Sequence, residues 1–145
     1  MSRNNLLDLN VLVALVESDH VHHQKAQGWF DSTRKGVFSL CPLTEAGFLR
    51  VTANPAFRSG PHTMPHAIAI LQAFKGHRDH LYLSIEKSWV EVTAGFARRI
   101  VVHQQVTDAY LLGLAISEGG VLVTFDKGIL HLAGPEFRRN VFVIE

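Results

Sequence analysis

The sequence predicts an α/β fold of three layers, with helices on both faces of a central, mostly parallel sheet. Two observations carry that prediction. Short apolar runs alternate along the chain with longer stretches of helical periodicity, and the runs Val121-Leu122-Val123-Thr124-Phe125 and Val141-Phe142-Val143-Ile144 lack the polar alternation of a strand with one wet face. At 145 residues, 47% hydrophobic and 19% charged, the chain is long and apolar enough to bury a core and too apolar to stay disordered. One domain over residues 1–145 is expected.

Leu6-Leu7 is a short apolar run meeting Asp8, after which Val11, Leu12, Leu15 and Val16 recur at helical spacing, a strand and then a helix. A second helix over 20–34 places His22, Ala26, Trp29 and Phe30 on one stripe and stops at Gly36. Val37-Phe38-Ser39-Leu40-Cys41 has strand composition, and Pro42 suits the first turn of a helix running to Thr52, where its missing N–H costs nothing. Asn54-Pro55 ends that helix, and a loop follows through Gly60-Pro61. A fourth helix over 63–75 sets Ala67, Ile68, Leu71 and Phe74 on one face. Leu81-Tyr82-Leu83 reads as a short strand, and Trp89, Val92, Phe96 and Ile100 mark a helix over 86–100, weakened by Thr93 and Gly95. Thr107 is an N-cap for a helix starting at Asp108, whose Tyr110-Leu111-Leu112-Gly113-Leu114-Ala115-Ile116 is apolar on nearly every face and therefore buried. Gly119-Gly120 closes it before the two final strands.

Composition also narrows function. Fourteen Lys and Arg against thirteen Asp and Glu leave a net charge of +1, so no overall field draws in nucleic acid and any such binding is local. A lone cysteine, Cys41, cannot form an internal disulfide, the first residues lack the apolar stretch of a signal peptide, and no run reaches the roughly 20 residues of a membrane span. The expected compartment is the cytoplasm, with no membrane partner.

Most acids sit among polar neighbours and read as solvated charges; four do not. Asp8 and Asp126 end strands, at the carboxyl edge where ligands bind in parallel sheets, and Glu45 and Asp108 lie near helix starts that follow that same edge. Singly, each has another explanation: Glu45 and Asp108 favour helix N-termini through the macrodipole, and Asp126 belongs to a turn with Lys127 and Gly128. Together they can converge. Two unit charges about 4 Å apart repel by on the order of 4 kcal/mol at an effective dielectric near 20. A hard divalent cation relieves that, and oxygen-only donors select Mg²⁺ or Mn²⁺ over zinc. Such ions activate water and stabilise charge on a phosphodiester, which is nuclease chemistry. Asn10 is placed to hold Asp8, and the Thr124 hydroxyl to reach Asp126 or a water beside the ion. Arg50, on the helix carrying Glu45, is the candidate phosphate contact.

The segments Leu6-Leu7-Asp8-Leu9-Asn10-Val11-Leu12, Thr44-Glu45-Ala46-Gly47-Phe48-Leu49-Arg50, Val106-Thr107-Asp108-Ala109-Tyr110-Leu111 and Leu122-Val123-Thr124-Phe125-Asp126 resemble, in order, the four acidic motifs of PIN-domain ribonucleases, and more closely those of VapC-type toxins from bacterial toxin–antitoxin pairs. The match runs from Leu6 to about Ile144, with Leu9 standing where Thr or Val is common. The resemblance implies a PIN-like α/β/α domain and a Mg²⁺-dependent endoribonuclease cutting structured RNA such as tRNA or ribosomal RNA. It implies Asp8, Glu45, Asp108 and Asp126 as metal ligands, a homodimer, and silencing by a small VapB-like antitoxin whose tail enters the active-site groove.

Other readings fit the residues less well. Nine histidines invite zinc, but there is no second cysteine and no HExxH or Cys-His spacing. A haloacid-dehalogenase-like phosphatase needs DxD where this chain has Asp8-Leu9-Asn10, and a phosphoacceptor receiver needs acids adjacent to one another near the first strand. A catalytically silent RNA- or protein-binding PIN domain remains open, although it has no need of an intact acid set. The pairs Arg34-Lys35, Arg98-Arg99 and Arg138-Arg139 read as solubilising charge.

Overall fold

The computed structural model describes residues 3–145. Strand β1 (Asn5–Leu7) feeds helix α1 (Leu9–Val16), and α2 (His23–Gly28) continues into a π-helical turn over Trp29–Thr33. Strand β2 (Phe38–Ser39), α3 (Pro42–Thr52) and α4 (Met64–Lys75) follow, then the short α5 (Trp89–Thr93) and the long α6 (Val106–Ser117). Strand β3 (Val121–Thr124), α7 (Gly128–Phe137) and β4 (Val141–Val143) complete the chain. The four strands pair in parallel in the order β2-β1-β3-β4, with Leu6 opposite Leu122 and Leu7 opposite Val123.

Successive strand residues point to opposite faces, and the two cores divide accordingly. Leu7, Val121 and Val123 join Val11, Leu12, Trp29, Phe30, Phe38 and Phe48 on one side. Leu6 and Leu122 join Phe96, Leu111, Leu112, Ile129 and Leu132 on the other. β1 and β3 are buried on both faces, which is why their sequences are unbroken apolar runs. Helix α6 is buried from Ala109 through Ala115, and Gly113 lets it approach α5 so closely that a Cβ there would lie 2.5 Å from the carbonyl oxygen of Val92.

The three-layer parallel architecture is the expected one, and the departures are local. The second helix begins at His23, and Ile68, expected on the buried stripe of α4, is 39% exposed because Ala67 and Leu71 carry the contact. Leu81-Tyr82-Leu83 forms no strand: a single bridge pairs His80 with Phe38, and Leu81 and Tyr82 point into solvent. The helix expected over 86–100 is reduced to α5 and a 3₁₀ turn over Ala97–Arg99. Gly95 lies at the break, with the Phe137 ring packed so closely that a Cβ there would come within 3.0 Å of its Cζ. Thr107 does not cap α6, which starts at Val106, two residues before the expected Asp108, after a 3₁₀ turn over His103–Gln105. Helix α7 is not among the elements expected from the sequence; Gly134 and Pro135, both helix breakers, lie inside it. The chain does turn there, at φ 66° for Gly134, but Ile129, Leu132 and Ala133 still form a buried stripe. No helix among the described residues is long and apolar enough to cross a membrane.

Candidate active site

The site is assembled where β1 and β3 end side by side. Asp8 follows β1 and caps α1: its Oδ1 accepts from the backbone N–H of Leu9 at 2.8 Å. Its Oδ2 accepts from the Thr124 hydroxyl at 2.8 Å, and the same hydroxyl oxygen accepts from the backbone N–H of Asp126 at 3.0 Å. Thr124 is wholly buried and Asp8 only 7% exposed, so one hydroxyl ties the ends of two central strands together. Asp126 is exposed and held by Gly128, whose N–H donates to its Oδ1 at 2.8 Å. Asp108 sits half-buried in the first turn of α6.

These three aspartates line one cavity of about 250 Å³ together with Thr44 and Arg50 of α3. Thr44 was not anticipated; Gly47, one turn on, leaves space that the Leu9 side chain fills, and small residues on that face are the signal that marks it. The electrostatics follow from the crowding. Burial pushes the Asp8 carboxyl above its usual range, the charge of Asp126 adds to that, and the bonds from Thr124 and Leu9 oppose it. Burial and the charges of Asp8 and Asp126 push Asp108 up to about 6.

Glu45 requires a correction. Its carboxylate does not reach this cavity: Oε2 pairs with Lys75 Nζ of α4 at 2.7 Å. Leu43, Gly47 and Arg50 share the cavity-facing side of α3, and at 3.6 residues per turn Glu45 falls on the far side. Asn10 lines the cavity, but Asp8 is held by Leu9 and Thr124 instead. Thr124 meets the backbone of Asp126 and the carboxylate of Asp8, and does not reach the Asp126 side chain by hydrogen bond. Arg50 is exposed at the cavity wall and in no ion pair among the described residues.

Donor chemistry and charge fit a hard divalent cation: three carboxylates, no thiolate or imidazole on the walls, and a mutual repulsion that such an ion relieves. As placed, no three His, Cys, Asp or Glu side chains among the described residues form a group ready to ligate one ion. Elsewhere, two of the paired charges are structural. Arg34 lies over the Phe30 ring and pairs with Asp79, and Arg99 donates to the carbonyl oxygen of Ala133 at 3.0 Å.

The PIN domain family model matches residues 6–135. The chain belongs to the PIN-domain family. Within that family it is similar to the ribonuclease VapC38 of Mycobacterium tuberculosis, 41% identical over 128 residues that span 88% of this chain and 89% of the relative. It is also similar to the ribonuclease VapC44 of the same species, at 38% over 130 residues, 90% of this chain and 91% of the relative. Among solved structures, VapBC2 from Rickettsia felis bound to a promoter DNA fragment superposes with a TM-score of 0.65 at 10% identity, covering 98% of this chain and 99% of that one. VapC20 of M. tuberculosis, a sarcin–ricin-loop-cleaving toxin, superposes at 0.58 and 11%, covering 80% and 84%. This PIN domain thus shares the family's fold with both structures, and the VapC ribonucleases are its sequence kin.

Proposed function

We propose that the protein is a VapC-like toxin: a Mg²⁺-dependent endoribonuclease, with Mn²⁺ an alternative ion, that hydrolyses phosphodiester bonds in structured RNA such as tRNA or ribosomal RNA. The observation that carries this reading is the convergence of Asp8, Asp108 and Asp126 on one cavity, where burial and then the neighbouring charges raise the proton affinity of Asp108. The names of the VapC relatives support RNA as the substrate.

In this reading Asp8, Asp108 and Asp126 hold the ion, and Glu45, engaged with Lys75, stands outside the set. When bound, the ion supplies Lewis acidity that activates water and offsets charge on the phosphate. The chain does the rest. Thr124 and Leu9 fix the Asp8 carboxylate on the rigid end of a central strand, so little rearrangement is left for the moment of reaction. Arg50 lines the same space, its guanidinium in no ion pair among the described residues, and binds a phosphate oxygen of the RNA. A VapB-like antitoxin silences the enzyme and a homodimer is its working form, both by kinship with the VapC proteins.

The test is cleavage of purified tRNA and ribosomal RNA by the wild type and by Asp8→Asn, with Mg²⁺ or with a chelator. Cleavage only by the wild type with Mg²⁺ is the expected result. Cleavage by Asp8→Asn at the wild-type rate refutes the site assignment, and tight RNA binding without cleavage identifies a silent binding domain.

A further inference from the structure

A larger cavity, about 630 Å³, adjoins the acidic one. Asn10 of α1 lines both, and the consecutive α3 residues Arg50 and Val51 line one each, so the two form neighbouring compartments on one surface. Its walls combine aromatic rings and free polar edges. Phe57 and His20 contribute aromatic rings to its lining; the Asn10 amide makes no hydrogen bond among the described residues, and the Arg58 guanidinium no ion pair. The loop that carries Phe57 and Arg58 is braced. Ser59 donates to Asp19 at 2.6 Å, Asn54 accepts from the backbone of Ala56 at 2.9 Å, and His62, beside the Phe57 ring, pairs with Glu17 at 2.7 Å.

We propose that this compartment seats the base of a nucleotide next to the scissile phosphate, which makes Asn10, His20, Phe57 and Arg58 specificity-determining residues. The inference rests on the RNA-hydrolase reading above. Sequence-selective recognition of RNA works on unstacked bases, which need an aromatic or guanidinium plane to stack on and amide groups to read their edges. A cavity of this size has room for one base and part of its sugar, and a ready-made wall keeps the ordering cost low. Its sharing of Asn10 with the acid cavity means that a strand whose phosphate lies between Arg50 and the aspartates turns a neighbouring base into it.

Two measurements test this. In the first, NMR spectra of the metal-free wild type are recorded with each of the four nucleoside 5′-monophosphates and with ribose 5-phosphate. The expected result is amide shifts in residues 19–21 and 51–59, larger for one base and absent with ribose 5-phosphate. Ala56→Trp, which fills the compartment from an exposed wall position, abolishes them while leaving the spectrum of the rest of the fold intact. Equal shifts with ribose 5-phosphate, or none in these segments, overturn the proposal. In the second, RNAs randomised around the cut are cleaved in Mg²⁺. A preference of about tenfold or more at one position beside the cut, falling below about twofold in Ala56→Trp, supports it. A preference that Ala56→Trp leaves unchanged overturns it. Base-dependent shifts without any Mg²⁺-dependent cleavage would retain the base site and refute the hydrolase reading, so the two failures are separable.

Discussion

Replacing Asp108 by Asn removes a carboxylate whose charged form is penalised first by burial and then by the charges of Asp8 and Asp126, so the metal-free protein should become more stable. The folded-state pKa of about 6 lies above the ordinary 3.8, so between those values the native state binds more protons than the unfolded chain. Stability therefore declines as pH rises through that window: Asp108 costs nothing below about 3.8 and its full penalty above about 6. At 1.36 kcal/mol per pH unit the ceiling is about 3 kcal/mol, and solvent screening at this half-exposed position reduces it to about 1–2 kcal/mol. For a chain of this length that is a rise in Tm of roughly 3–6 °C. The assay is thermal unfolding followed by circular dichroism at pH 7.5 and near pH 4, in chelator. Asp108→Asn should exceed the wild type at pH 7.5 and match it near pH 4, and added Mg²⁺ should raise the wild type more than the variant. A variant no more stable than the wild type at pH 7.5 would refute the argument that burial and neighbouring charge disfavour the Asp108 carboxylate.

Three further outcomes follow from the same geometry. Thr124→Val strips Asp8 of a donor and the Asp126 N–H of its acceptor, so it should cost about 1–3 kcal/mol in urea unfolding. It should also weaken Mg²⁺ binding about 10–100-fold by calorimetry. Glu45→Gln should leave Mg²⁺ affinity within about threefold of the wild type and cost no more than about 1 kcal/mol, the scale of its partly exposed pair with Lys75; a complete loss of metal binding would show that Glu45 joins the site. Gly113→Ala drives a methyl into the Val92 carbonyl between α6 and α5, and should lower stability by about 1–3 kcal/mol in the same unfolding experiment.

What was legible in the sequence was what one face or one edge decides. Val121-Leu122-Val123-Thr124 reads as a strand covered on both sides, and Asp8 and Asp126, ending two such strands, are carried to the carboxyl edge by the chain's own direction. Glu45 was misplaced because its motif fixes a position along α3 and not an angle around it; Lys75, thirty residues away, decides where the carboxylate goes. Helix α7 carries two breakers, Gly134 and Pro135, that obscure its periodicity in the sequence, while in the fold the Arg99 guanidinium reaches the carbonyl of Ala133 at the break. The role of Thr124 was half visible. Its placement under Asp126 was evident from spacing, but its bond to Asp8 depends on the register between β1 and β3, which sets Leu7 opposite Val123.

The account rests on Asp8, Asp108 and Asp126 sharing one divalent ion, and the most direct measurement is paramagnetic broadening by substoichiometric Mn²⁺ in the NMR spectrum of the wild type. Amide signals of Leu9, Thr107, Ala109 and Lys127, the chain neighbours of the three aspartates, should vanish first, and Mg²⁺ in excess should restore them. Broadening centred on the histidines of residues 20–23 or 62–66, or spread evenly over the surface, would contradict it.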